Sequence, residues 1–207
     1  NANSEYAIAM KRYMKDISPF YGIKSGLRNQ LKMEFLKQTD LPPYDLLNEL
    51  VMDCWHKDQR EWQYIGMELP IKYKKEWGPE IIELFEYIIV TKSWWDTVDY
   101  IASNLVGTWA MQNERDFVTI TDSWNNSNNM WLIRTSILFQ LKFKEKVDTD
   151  LLFRYIDNHK ESKEFFIKKA IGWSLRQLSK TNPEIVRSFL NRISLQPLSV
   201  KEASKYM

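Results

Sequence analysis

Residues 131–141, WLIRTSILFQL, laid over residues 165–175, FFIKKAIGWSL, decide how this chain folds. At this offset of 34 positions Ile133 meets Ile167, Ile137 meets Ile171, Leu141 meets Leu175 and Arg134 meets Lys168. A shorter third copy, YIGMEL (64–69), follows the AIGWSL pattern of residues 170–175. The apolar positions recur at the spacing of one helix face. Helix pairs repeating every 30 to 45 residues or so build an α-solenoid, which curves and offers a long concave face to an extended partner. An ordinary bundle, whose helices look alike because each carries an apolar stripe, is the alternative.

Composition points the same way. Six glycines and seven prolines in 207 residues are few for sheets joined by tight turns, and Leu, Lys, Glu, Met and Trp are abundant. The pattern predicts helices near 4–15, 24–38, 43–54, 57–68, 78–90, 94–105, 114–121, 128–143, 148–158, 163–179, 182–192 and 197–205. Starts are marked by Ser25, Pro42-Pro43, Ser93, Thr149 and Thr181-Asn182-Pro183. One run, Phe85 to Thr91, reads as a strand. The expected architecture is a single all-α domain over 1–207, with Asn1-Ala2 set aside as a cloning remnant.

Cys54 has no partner for a disulfide, and with only His56 and His159 as histidines no zinc set assembles, so Cys54 reads as a buried small hydrophobe. No stretch nears the roughly 20 apolar residues that span a bilayer, and no leader opens the chain. A cytoplasmic protein with no membrane partner, no metal and no cofactor is expected. The net charge of +2 hides a division: 14 Lys/Arg face 19 Asp/Glu through residue 125, and 15 face 8 after it. A basic later half attracts anions, nucleic acid first among them, although a solvated lysine-rich helix surface has the same composition.

Three residues sit on unexpected faces. In KSWWDTVD (92–99), Ser93 is a good N-cap and Asp96 completes a capping box. Asp99 lies a turn further in, beside Trp95 by the i, i+4 rule, with no such task. It could stabilise a developing cation or accept hydrogen bonds from a neighbouring helix end. Arg134 has Met130, Trp131, Ile137 and Leu138 as helical neighbours, so it needs either a buried carboxylate or a phosphate held in a cleft. In the following helix Ile167, Ile171, Leu175 and Leu178 form the core stripe. Trp173 points away from it, with Lys169, Arg176 and Lys180 on its side. That composition suits a surface stacking on nucleic acid, or a tryptophan buried against a neighbour with cations around it.

Residues 94–102 (WWDTVDYIA), 129–156 (NMWLIRTSILFQLKFKEKVDTDLLFRYI) and 165–190 (FFIKKAIGWSLRQLSKTNPEIVRSFL) resemble the bacterial DNA alkylation repair proteins of the AlkD family. The likeness extends to FYGIKSGLRNQL (20–31) and REWQYIGMEL (60–69), and so to nearly the whole chain. The resemblance implies a solenoid of HEAT-like antiparallel helix pairs with a concave basic face. It also implies a monofunctional DNA glycosylase that excises cationic alkylated purines such as N3-methyladenine and N7-methylguanine from duplex DNA, without drawing the base into a pocket as most glycosylases do. By this likeness Trp95, Asp99 and Trp173 match the catalytic cleft, and Arg134 matches a phosphate-contacting arginine. Lys92, Lys168, Lys169 and Arg176 are the further expected backbone contacts, in a monomer acting on double-stranded DNA. A non-catalytic HEAT-like scaffold binding DNA or protein is the rival, and the joint presence of Trp95, Asp99, Arg134 and Trp173 argues against it.

Overall fold

The computed structural model describes residues 2–113 and 116–206, and every regular element among them is helical. The predicted strand is absent from this set: Phe85–Val90 is the end of helix α5 (Ile81–Val90). Its β-branched run mimics a buried strand, but Phe85, Ile88 and Ile89 are wholly buried, as in a helix enclosed on most sides. The other predicted helices are present with shifted ends. The start expected at residue 114 falls outside the described residues, and helix α8 runs Phe117–Asn125.

The chain divides into two compact units, Asn1–Gly78 and Pro79–Met207. Unit 1 contains α1 (Ser4–Tyr13), α2 (Ser25–Gln38), α3 (Leu47–His56) and α4 (Arg60–Glu68). Its core is Leu47, Val51, Trp55, Met67 and Tyr73. The α3–α4 pair packs closely because Gly66 presents no Cβ to Cys54 and Trp55; an added Cβ would lie 2.8 Å from that of Cys54. Gln63 closes the turn between the two helices, its amide donating to the carbonyls of Cys54 at 2.8 Å and Lys57 at 2.9 Å. Glu61 accepts from three successive backbone amides, Tyr21, Gly22 and Ile23, at 3.0, 2.9 and 3.1 Å, and so anchors the loop that leads into α2. Cys54 is half-buried rather than fully enclosed; burial pushes its thiol up to about 11, which keeps it an unreactive thiol.

Unit 2 begins with α5. A continuous helical rod follows: α6 (Trp95–Tyr100), a π-helical turn at Ile101–Val106, and α7 (Gly107–Gln112). Ser103 and Thr108 hydroxyls donate to the carbonyls of Asp99 and Asn104 at 2.8 and 2.6 Å, and the Asn104 amide donates to that of Tyr100 at 2.9 Å. These side chains bond back to carbonyls four positions earlier, as Ser, Thr and Asn commonly do inside helices. After α8 come α9 (Met130–Leu138), α10 (Thr149–Asn158), α11 (Phe165–Ser179), α12 (Pro183–Arg192) and α13 (Pro197–Ala203). Asn129, Asp148 and Asn182 cap the starts of α9, α10 and α12 through their side-chain oxygens. The expected stripe of α11, Ile167, Ile171, Leu175 and Leu178, is buried. Gly172 lets α13 approach α11, because a Cβ there would meet Glu202 Cβ at 2.4 Å. Gly66 and Gly172 thus serve the same purpose in two copies of the repeated motif: each marks where a partner helix presses closest.

Candidate active site

The expected cap at Ser93 is not the one the chain uses. The Ser93 hydroxyl donates backward to the Ile89 carbonyl at 2.6 Å, closing α5. Trp94, in extended conformation, occupies the N-cap position of α6 without a side-chain cap. Asp96 keeps a favourable place in the first turn, where a carboxylate faces the positive helix end. Trp95 opens α6, and Asp99 follows one turn later on the same side.

Asp99 has a partner that its spacing did not disclose. Arg134 of α9 clamps it bidentately, Nε donating to Oδ1 at 2.7 Å and Nη2 to Oδ2 at 2.8 Å. A third donor, Nη1, bonds the Phe166 carbonyl at the start of α11. The Arg134 side chain is 1% exposed and that of Asp99 18%. Of the two partners open to Arg134 in the sequence, a carboxylate is therefore the one it holds. Arg134, expected at a phosphate, is engaged here by the Asp99 carboxylate and the Phe166 carbonyl. Burial raises the Asp99 pKa above the usual carboxylate value, opposed by the hydrogen bonds and charge of Arg134, while nearby Asp96 adds to the rise.

Arg134 also joins Asp99 to α11. Its guanidinium carbon lies 5.5 Å from the Trp173 ring and 5.7 Å from that of Phe166. Trp173 is half-buried, and Lys169 and Arg176 approach the same ring at 5.4 and 5.9 Å. Both of these cations are held by Glu202 of α13, one carboxylate oxygen each, at 2.7 Å. Lys169 and Arg176, expected at DNA phosphates, thus already carry a protein anion in its place. Glu202 is held below the usual carboxylate range, mainly by its hydrogen bond from Lys169.

Lys168 lies half-buried on α11, its carbonyl accepting from the Ser199 hydroxyl at 3.0 Å. Lys92 is exposed in the turn before α6, with a left-handed φ of 49°. Sequence reasoning missed Glu202, Phe166 and the aromatic group that Trp94 forms with Trp131 and Phe166, their ring centroids 5.0 to 5.9 Å apart. Phe166 shares a face with Lys169 and Trp173 at helical spacing, which could have flagged it. Glu202 offered no such signal. No group of three or more potential metal ligands occurs among the described residues. No described helix is long and apolar enough to cross a membrane.

Residues 1–207 match the family model described as DNA alkylation repair enzyme. The chain belongs to that family. Within the DNA alkylation repair enzymes it is similar to a solved structure from Enterococcus faecalis described as a "Predicted DNA alkylation repair enzyme". The two are 35% identical over 100% of this chain and 97% of that one, with a TM-score of 0.93. The structure of AlkD2 from Streptococcus mutans shares the fold at 20% identity and a TM-score of 0.68, covering 98% of this chain and 99% of that one. So does smu.31 from Streptococcus mutans UA159, at 19% identity and 0.65 over 96% and 99%. No curated protein sequence matches. The helical-repeat fold expected from the 34-residue echo is thereby shared with solved members of this fold.

Proposed function

We propose that this DNA alkylation repair protein is a monofunctional glycosylase that hydrolyses the N-glycosidic bond of cationic alkylated purines in duplex DNA. The observation that carries the reading is the bidentate Asp99–Arg134 pair, with Arg134 in turn beside Trp173. N3- or N7-alkylation leaves a purine with a formal positive charge, so the base departs neutral and needs no acid to protonate it. Only the sugar must be helped. As the bond breaks, the deoxyribose gains oxocarbenium character, and a fixed carboxylate beside it stabilises that charge and positions a water.

Asp99 fits that role because Arg134 fixes its orientation before substrate arrives, while each carboxylate oxygen keeps a further lone pair for water or sugar. Trp95 and Trp173 would hold the sugar by contacts that strengthen as its positive charge grows. Neither a metal nor an organic cofactor is required by this chemistry.

Backbone binding falls to the basic residues of unit 2, Lys168 among them, with Lys92 at the start of the Trp95–Asp99 segment. Phosphate contacts give affinity without sequence information, which suits a protein that scans duplex DNA. The deciding experiment is base release from N7-methylguanine DNA by the wild type and Asp99→Asn. Equal rates would refute the assignment of Asp99, and no release by either would favour a non-catalytic helical scaffold. Neutral lesions such as uracil or 8-oxoguanine should be released poorly or not at all, because the site supplies no acid for them; robust uracil release would contradict the reading. Binding should weaken steeply with salt, and a flat profile would count against a duplex-DNA substrate.

A further inference from the structure

Three rings that the glycosylase chemistry does not use meet beside the Asp99–Arg134 pair. Between ring centroids, Trp94 lies 5.9 Å from Trp131 and 5.1 Å from Phe166, and Trp131 lies 5.0 Å from Phe166. Their planes are tilted or edge-on to one another, the arrangement that ring quadrupoles favour. Each ring is half-buried and stands at the start of a different helix that builds the site. Trp94 is the N-cap of α6, which carries Trp95 and Asp99. Trp131 is in the first turn of α9, one turn ahead of Arg134 on the same side. Phe166 is in the first turn of α11, two turns ahead of Trp173.

Helix α6 needs such a joint. It spans only six residues, too few to hold its direction by its own hydrogen bonds, and no side chain caps its start. Trp94 Nε1 is buried without an acceptor, so ring contacts and not a hydrogen bond hold the indole. From the other side Phe166 is tied to Arg134 twice: its carbonyl accepts from Nη1, and its ring lies 5.7 Å from the guanidinium carbon. The Arg134 fork then reaches Asp99 at 2.7 and 2.8 Å. Rings and ion pair thus close one loop of contacts through α6, α9 and α11. A fork aligns a carboxylate only while the helices bearing the two groups keep their spacing, and the interlocked rings set that spacing.

We propose that Trp94, Trp131 and Phe166 are positioning residues that hold the Asp99 carboxylate in its productive direction through Arg134, a role that rests on the reading of Asp99 given above. The charges bearing on Asp99 are Arg134 from α9 and Asp96 from its own helix, while Lys169 and Arg176 of α11 are held by Glu202 of α13. Arg134 holds the Asp99 pKa down against burial, so a slackened fork lets it rise. The test measures release of N7-methylguanine from duplex DNA by the full chain at saturation and across pH, with duplex binding followed in parallel. Trp131→Leu should lower the saturated rate about tenfold, within what misplacing a reacting group costs, and change the binding constant less than about twofold. Its rate should fail on the acid side at a higher pH than that of the wild type. Trp131→Phe, which keeps a ring in the joint, should recover most of the rate and return the acid limb toward the wild type. Where Trp131→Leu fails to fold, Trp94→Phe reads the joint from α6 and should show a smaller loss of the same kind, about threefold. An unchanged rate, a loss of binding that matches the loss of rate, or an acid limb that stays in place would each overturn the proposal. The reading of Asp99 fails separately, on equal rates for the wild type and Asp99→Asn.

Discussion

Asp99 on α6 and Glu202 on α13 each hold a cation beside the ring of Trp173 at nearly equal side-chain exposure, 18% and 17%, and the two carboxylates differ in the burial of their partners and in the direction of their pKa. Asp99 is clamped by an arginine that water scarcely reaches, and burial pushes its pKa up. Glu202 shares two partly exposed cations, and they hold its pKa down. The first pair is costly to assemble and rigid once formed; the second is closer to solvent and adjustable. Charge kept under desolvation suits a group meant to act on a developing cation, whereas charge that cancels two cations suits a group that governs what else may approach them.

The largest effect should come from breaking the buried pair on its cationic side. Arg134→Met leaves Asp99 partly desolvated and unpaired, and should lower stability to denaturant by about 3–5 kcal/mol. The double variant with Asp99→Asn should recover part of that loss, and a strictly additive double variant would show that the two side chains do not act as a pair. Second, Asp99→Asn, which leaves the enclosed Arg134 charge facing a neutral amide and so costs stability as well, should slow release of N7-methylguanine by about 10²–10³-fold, the scale of removing one well-placed electrostatic stabiliser. Third, Glu202→Gln should cost about 1–2 kcal/mol of stability, because its two pairs are only partly exposed. It should release Lys169 and Arg176 for phosphate, tightening binding at low salt and steepening the plot of log affinity against log salt by about 0.9 for each cation that engages. An unchanged slope would mean that neither cation reaches DNA.

The smallest effect is in pH dependence, and the two carboxylates should differ in sign. Asp99 has a raised folded-state pKa, so its ionisation opposes folding: its contribution is greatest below its unfolded pKa and is lost as pH rises through the folded value. Glu202 has a lowered one, so its contribution is present above its unfolded pKa and disappears as pH falls through the folded value. Base release should decline on the acid side at a higher pH than an ordinary aspartate would give, measured as the difference between wild type and Asp99→Asn. The Glu202 bridge, followed through the salt slope, should survive into more acidic solution than that.

Helices were readable because their periodicity is local, and caps such as Asn182-Pro183 announce themselves within four residues. The failures have a common cause in distance. The bond from Arg134 to Asp99 spans 35 positions, and that from Arg176 to Glu202 spans 26. Nothing in either residue's neighbourhood names its partner. An arginine among Met130, Trp131, Ile137 and Leu138 announced a need for an anion, though not which anion. Phe85–Val90 misled because an enclosed helix and an enclosed strand share one composition. Ser93 misled because a hydroxyl between two helices can close the first as readily as open the second.

The π turn at Ile101–Val106 gives the Trp95–Asp99 segment its own angular phase. Its hydrogen bonds reach one residue further than those of the α-helical segments on either side, so the surplus position rotates α6 by about 100° relative to α7. Losing or gaining a single residue within 101–106 would swing the carboxylate out of reach of its clamp while α7 stayed packed. The site's alignment is therefore set by a frame count in the backbone as much as by the identity of any side chain.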